Sequence, residues 1–382
     1  MVFRSLLQGI SIALSSPAAP SSSASTPTLL RAGQWFLRSG IQEPEGGVAR
    51  YHFIAEARNA RVSTEITAYA VSAFLELHLR TQDPACLHAA IRAGDLLCSA
   101  WNPACQAMPF EWSPTGQLPA HHSYFFDNGI IVRALIRLWR ATSNQRYLDI
   151  AVLCGESMSR DFVTTSDIHP ILVLPSLDPL PRDARWSRSS HCYQLKSALG
   201  WLDLADATGN QLFQADFETA LDRALSTHSD FLSAEPDAHR RMDRLHAYCY
   251  FLEALLARAA RPAVRSALSD GIAQTAETLR SIRPEFERSD VNAQLLRVRL
   301  WASALGAVPL NAQQASEEAA SAAAYQISSP DPRLDGAFNF GRRLGALSNF
   351  SNPVSTAFCL QALALWDDHQ RGAAILDWNR LI

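Results

Sequence analysis

Two acids stand where apolar helical patterns begin. Glu65 opens the stretch "VSTEITAYAVSAFLELH", and Asp127 opens "SYFFDNGIIVRALIRLW". Two carboxyl groups brought to one cavity are equipment for acid–base chemistry: one gives a proton while the other takes one or attacks. A first-turn acid can also simply complement the helix dipole, a contribution below about 1 kcal/mol. Both readings stay open for Asp127. Beyond Glu65, Tyr69, Ser72 and Glu76 follow at helical spacing, one polar stripe down an otherwise apolar helix. If that stripe faces a cavity, Tyr69 belongs with Glu65, whereas Glu76 reads as structural.

Further polar residues recur at comparable places. His122 and Tyr124 lie just ahead of Asp127, and His191 and His246 stand near the starts of the next two apolar helices. On a ring-shaped scaffold these histidines are expected to converge, and histidine is a ready acid–base group at neutral pH. His246, Tyr250 and Glu253 share one helix face. Asp290 and Asn292 begin a fifth apolar helix, where capping competes with function for Asp290. Glu111, Trp112 and Trp186 sit in long connections, and Arg188 belongs to a set with Arg58, Arg61, Arg185, Arg241 and Arg244 just ahead of apolar helices. Lys196 is the only lysine, so the arginine abundance reflects a compositional preference and is weak testimony for anion binding.

The elements that must position these groups are almost entirely helical. Strand signals are nearly absent, and helical periodicity runs from about residue 27 to the end. One kind of helix is apolar on most sides and so must be buried. Its six members carry the expected caps Ser63 or Thr64, Ser123, Ser190, Asp243, Ser289 and Asn352, the last followed by Pro353. The other kind is amphipathic and falls near residues 27–39, 84–100, 143–160, 210–231, 262–281 and 310–325. The two kinds alternate, which is helical-hairpin repetition. The first and last apolar helices resemble each other, as neighbours in a closed ring would. The pattern predicts an all-α (α/α)6 toroid of six inner and six outer helices over residues 27–382. The long connections, near 40–62, 101–122, 161–189 and 326–351, all lead into inner helices. They gather at one rim, together with the positive ends of the inner-helix dipoles.

Composition narrows the rest. A net charge of −3 over 382 residues gives no electrostatic case for nucleic acid or an anionic membrane. No apolar run is long enough to span a bilayer. The seven cysteines are odd in number and lie mostly in helical patterns, which reads as reduced thiols. No cysteine or histidine spacing suggests a metal, and no phosphate loop, dinucleotide fingerprint or nucleophile elbow is present, so no cofactor is expected. Residues 1–26, "MVFRSLLQGISIALSSPAAPSSSAST", read as a disordered leader or a weak signal-like segment, with a cytoplasmic location expected.

The stretch "FFDNGIIVRALIRLWRATSNQRYLDIA" and its second copy "GWLDLADATGNQLF" resemble hairpins of the six-hairpin glycosidase-like (α/α)6 toroid superfamily, notably its unsaturated-uronyl hydrolase branches. The resemblance implies a saccharide partner and a glycoside hydrolase acting on an anionic, uronic-acid-type sugar. Asp127 and Glu65 would be the carboxyl pair flanking the scissile bond. His122, Tyr124, Tyr69, His191, His246, Tyr250, Glu111, Arg188, Asp290 and Asn292 would bind substrate, with Trp112 and Trp186 as stacking surfaces for sugar rings. The toroid hosts many chemistries. A sugar epimerase or lyase using His and Tyr, and a non-catalytic glycan- or protein-binding toroid, remain alternatives.

Overall fold

Local capping and apolar periodicity agree along most of the chain. Ser63 accepts a hydrogen bond from the Ile66 backbone N–H and begins α2 (Thr64–Thr81). Asn352 caps α12 (Pro353–Gln370), with Pro353 fixing the first turn. The computed structural model describes residues 27–116, 121–183, 185–232, 235, 237–375 and 377–382, so the expected leader at 1–26 lies outside the described residues. Among them twelve α-helices form two layers. The inner layer holds α2, α4 (Phe125–Thr142), α6 (Leu195–Thr208), α8 (Ala238–Leu255), α10 (Ser289–Ala304) and α12. The outer layer holds α1 (Pro27–Arg38), α3 (Pro84–Ala100), α5 (Gln145–Ser157), α7 (Gln211–Thr227), α9 (Pro262–Ile282) and α11 (Ala312–Ala323).

Each inner helix packs on the next, and α12 packs on α2, so the ring closes. The first outer helix, α1, packs on the last inner one, α12. The closure is tied by Arg31, which bonds Asp335 at 2.7 Å, and by the Trp35 indole N–H, which donates to the Arg333 carbonyl at 2.8 Å. Between α4 and α6 the backbones approach so closely that a Cβ at Gly129 would lie 2.2 Å from the Ser197 carbonyl oxygen. Glycine there lets α4 and α6 pack backbone against backbone just beyond the first turn of α4.

Short strands, not anticipated from the sequence, line the rim where inner helices start. β1 (His52–Phe53), β2 (Arg58–Asn59), β3 (Val62–Ser63), β4 (Glu111–Trp112), β5 (His122–Tyr124), β6 (Ile171–Val173), β7 (Asp178–Pro179), β8 (Phe286–Arg288), β9 (Gly341–Arg343), β10 (Ala346–Leu347) and β11 (Phe350–Ser351) pair antiparallel in four small sheets. Two or three residues are too few to show an alternating pattern. The β1–β11 pairing also bridges the two ends of the ring.

Four expected caps differ. Ser289 is the first residue of α10, whose capping place Arg288 holds without a side-chain bond, and the Ser289 hydroxyl donates to the Asn339 carbonyl instead. Asp243 lies inside α8, which begins five residues earlier at an Asp237 cap. Ser123 is not the capping residue of α4; Tyr124 holds that place without a side-chain bond, and Ser123 accepts from Asn128. Ser190 precedes a 3-10 turn, Cys192–Gln194, that leads into α6. All seven cysteines are free, six of them buried.

The ring's interior is charged as well as apolar. Glu253 on α8 pairs with Lys196 on α6 at 2.9 Å and with Arg297 on α10, all three fully buried. Glu76 pairs with Arg80 and Arg380, and Arg80 also pairs with Asp368 at 2.9 Å. Leu381 and Ile382 are buried, and the Ile382 carbonyl accepts from Lys196 and Arg297.

Candidate active site

The rim strands and inner-helix starts enclose a cavity of about 320 Å³. Glu65, in the first turn of α2, and Asp127, in the first turn of α4, both line it. Glu65 is half-buried; Asp127 is 5 % exposed, and its Oδ2 has no hydrogen-bond partner among the described residues. A buried, unsatisfied carboxylate oxygen in a native fold calls for a functional reason. Burial pushes the Glu65 carboxyl up to about 7, against the opposing pull of Arg50. Burial also raises Asp127 well above the usual carboxylate range, and the neighbouring charge of Glu65 raises it further. Two acids that disfavour each other's ionisation in one cavity share protons rather than ionise independently.

Arg50 reaches this pair from the loop between α1 and β1. Its guanidinium lies over the Phe110 ring at 4.9 Å and contacts Glu111 at 3.4 Å. Opposite, His246 on α8 sits 2.7 Å from the Gln294 side-chain oxygen through Nδ1. That oxygen can only accept, so Nδ1 carries the proton and Nε2 keeps its lone pair. Burial lowers His246 to about 4, with the Arg288 charge adding to the effect, so the ring is neutral near pH 7. Asp290 is held by Arg288 through two hydrogen bonds of 2.9 and 2.7 Å. Burial alone would raise the Asp290 carboxyl, but Arg288 outweighs it and the group stays below its ordinary value. Aromatic rings complete the walls: Tyr250 packs on Phe126 at 4.7 Å, Tyr124 on Phe110 at 4.8 Å, and Trp186 edge-on to Tyr193 at 5.0 Å.

No family model matches this sequence, and no curated protein matches it. Solved structures do resemble it. A cellobiose 2-epimerase from Spirochaeta thermophila DSM 6192 is 14% identical, with 89% of this chain and 94% of that one covered at a TM-score of 0.69. A D-mannose isomerase is 9% identical, covering 91% and 99% at 0.64. A family 76 glycoside hydrolase from a bovine Bacteroides thetaiotaomicron strain is 13% identical, covering 90% and 78% at 0.60. The fold is the six-hairpin (α/α)6 toroid. At such identities the likeness concerns architecture, and the toroid's chemistry must be read from its own side chains.

Of the residues singled out from sequence, Glu65, Asp127, Tyr124, Trp186, His246, Tyr250 and Asp290 line the toroid's cavity. Tyr69 lies just behind, buried on Phe358 at 5.3 Å, with the charge of Glu65 and the hydroxyl of Tyr250 beside it. The others fall outside the lining. His122 stands farther out on β5, 6.3 Å from the Tyr124 ring, and His191 is exposed against Phe231. The expected convergence of three histidines therefore reduces to His246, because His191 precedes α6 by a full 3-10 turn. Glu111 is bound to Arg50 and Arg61, Trp112 packs at the edge of the core, and Arg188 pairs with Asp183. Asn292 is fully buried, donating to Glu287 and the Arg288 carbonyl.

The sequence reading passed over Arg50, Gln194 and Arg288. Gln194 is 3 % exposed, lines the cavity, and its Nε2 has no partner among the described residues. A loop arginine in an arginine-rich chain gives no local signal. Gln194 and Arg288 sit one step before their helices, where the pattern of periodic residues has not begun. Among the described residues no group of three His, Cys, Asp or Glu side chains is placed to hold a metal ion. Nor is any helix there long and apolar enough to cross a membrane.

Proposed function

We propose that this toroid is a carbohydrate-active enzyme, a glycoside hydrolase acting on an anionic saccharide. The observation that carries the reading is two acids, Glu65 and Asp127, both raised by burial and lining one aromatic-walled cavity. Hydrolysis of a glycosidic bond needs one carboxyl group to protonate the leaving oxygen and another to attack or to activate water. A pair that retains one proton near neutral pH meets that need. Asp127 is the deeper of the two and is assigned the donor role; Glu65, closer to solvent, is assigned the base or nucleophile. Tyr124, Phe126 and Tyr250 offer ring faces to the apolar side of a sugar, and Gln194 offers amide hydrogens to its hydroxyls. Arg50 supports the anionic substrate, since its fork has capacity beyond its contact with Glu111.

A second reading, epimerisation or isomerisation of a sugar, is favoured by one observation: neutral His246 at the cavity wall, its Nδ1 held by Gln294. That chemistry abstracts and returns a proton at carbon without breaking a glycosidic bond. The test is to incubate the protein with neutral and uronic-acid oligosaccharides and follow both outcomes in one proton NMR series. New reducing ends that vanish in Asp127→Asn support hydrolysis. Epimer formation that survives Asp127→Asn and is lost in His246→Asn replaces the first reading with the second.

A further inference from the structure

The cavity that holds Glu65 and Asp127 has a neighbour. Trp186 and Ser187, from the loop ahead of α6, line both. The Arg288–Asp243 ion pair, 2.8 Å long, gives its guanidinium to the first cavity and its carboxylate to the second. The second cavity measures about 400 Å³. Small-molecule clefts span about 300–1,000 Å³, so each cavity alone is near the lower end and both together reach the middle of that range.

The second cavity exists because α8 starts early. His246 is level with the first turns of α10, where Gln294 and Asp290 meet it, yet α8 begins at Ala238. Eight residues at 1.5 Å each raise α8 roughly 12 Å above that level. The extension carries Arg240, Asp243 and Arg244, and the two arginines are one turn apart on one face. The acids around them are already engaged. Asp183 pairs with Arg185 and Arg188, Asp243 with Arg288, and Glu235 accepts the Asp237 backbone N–H. Arg244 donates to the Phe231 carbonyl at 3.2 Å and lies over the Phe231 ring at 5.8 Å; the Arg240 guanidinium acts on Asp237 through charge, with no side-chain hydrogen bond among the described residues. Guanidinium donors are therefore left over beside an indole that Tyr193 fixes edge-on.

We propose that the second cavity is an anion-recognising subsite for the next unit of an oligosaccharide whose first unit lies beside Glu65 and Asp127. That unit carries a carboxylate or a sulfate, held by Arg240 and Arg244, while its ring rests on Trp186. Guanidinium forks match both planar carboxylates and sulfate oxygens. The inference rests on the saccharide reading of the first cavity and adds to it the place and charge of the second unit.

The test is glycan-array binding of the full chain carrying Glu65→Gln and Asp127→Asn, so that bound glycans are not consumed. The array pairs each neutral disaccharide with its uronic-acid and its sulfated counterpart. The expected result is retention of an anionic member at least tenfold above its neutral partner, falling as salt rises. Adding Arg240→Ala and Arg244→Ala should erase the preference. Arg240→Gln with Arg244→Gln, matched for thermal melting, serves as the second variant should the alanines disturb α8. The uronic and sulfated arms tell which anion is read. Retention of neutral glycans alone, retention of none, or a preference unchanged by both double variants overturns the subsite. A glycan that binds through these arginines but is left intact by the unmutated chain sinks the hydrolase reading and leaves the subsite standing.

Discussion

The mouth of the ring and its axis are both buried and both charged, yet they treat their acids in opposite ways. Along the axis Glu76 has Arg80 and Arg380 within hydrogen-bond distance. Burial alone would raise its carboxyl, but these arginines outweigh it and Glu76 lies below its ordinary value. Glu253, about two turns along α8 from His246, is matched by Lys196 and Arg297 from the two flanking helices. At the mouth, among the described residues, Arg50 is the cation that bears on both Glu65 and Asp127, and both acids are raised. Burial is common to the two regions; the supply of partner charge separates them. A network whose charges are answered holds the ring together, whereas an acid left short of partners keeps a proton it can give away. Asp290 belongs with the first group although it lines the cavity, because Arg288 satisfies both of its oxygens.

The contrast breaks most visibly under substitution. Asp127→Asn keeps shape and removes the titrating proton, so kcat on a cleavable saccharide should fall about 10²- to 10⁴-fold. Because it also removes a desolvated acid next to Glu65, the melting temperature should hold or rise. A fall in melting temperature with activity preserved would place Asp127 with the structural acids. Along the axis the signs reverse. Glu253→Ala leaves Lys196 and Arg297 buried without their shared partner, and the expected loss is about 3–5 kcal/mol of stability by urea unfolding. Protein that remains folded at low temperature should retain the kcat of the parent chain on the proposed substrate. Replacing all three by Leu or Met should restore much of the lost stability, since apolar side chains of similar volume often match a buried ion network. An undiminished Glu253→Ala chain would mean that the axial charges are dispensable.

The difference between the two regions was only half visible in the amino-acid order. Six capped apolar stretches alternating with amphipathic ones led to the ring, because periodicity and caps are local properties. Glu65 and Asp127 were found because they are acids at the start of otherwise apolar helices. What separates Glu65 from Glu76 was harder. They lie on one stripe of one helix, and the partner that distinguishes them, Arg380, is 304 positions away from Glu76. Arg50 was missed for the same reason: its meaning depends on which helices close around it. The early start of α8 escaped because Arg240, Arg241, Asp243 and Arg244 mask the apolar pattern in its first turns, where Ala238 and Met242 face the core while Arg240, Asp243 and Arg244 border a cavity.

The smallest expected effect is also the one that reads the contrast directly, through the pH dependence of stability. Glu65 has a folded value of about 7 against an ordinary 4.5. Between those values the folded chain holds the extra proton, so this group's contribution to stability falls as pH rises through the window. Lys196 is lowered by burial from 10.5 to about 7. Between those values the unfolded chain holds the extra proton, so the Lys196 contribution rises with pH. The two slopes have opposite sign and meet near neutrality. Melting curves at pH 5, 7 and 9 for the parent chain, Glu65→Gln and Lys196→Met therefore separate mouth from axis. The advantage of Glu65→Gln over the parent should grow by a few degrees from pH 5 to 7, and any advantage of Lys196→Met should shrink from pH 7 to 9. A Glu65→Gln gap that stays flat across the acid window would show that Glu65 ionises like a surface carboxylate, and the mouth would lose the proton on which its proposed chemistry depends.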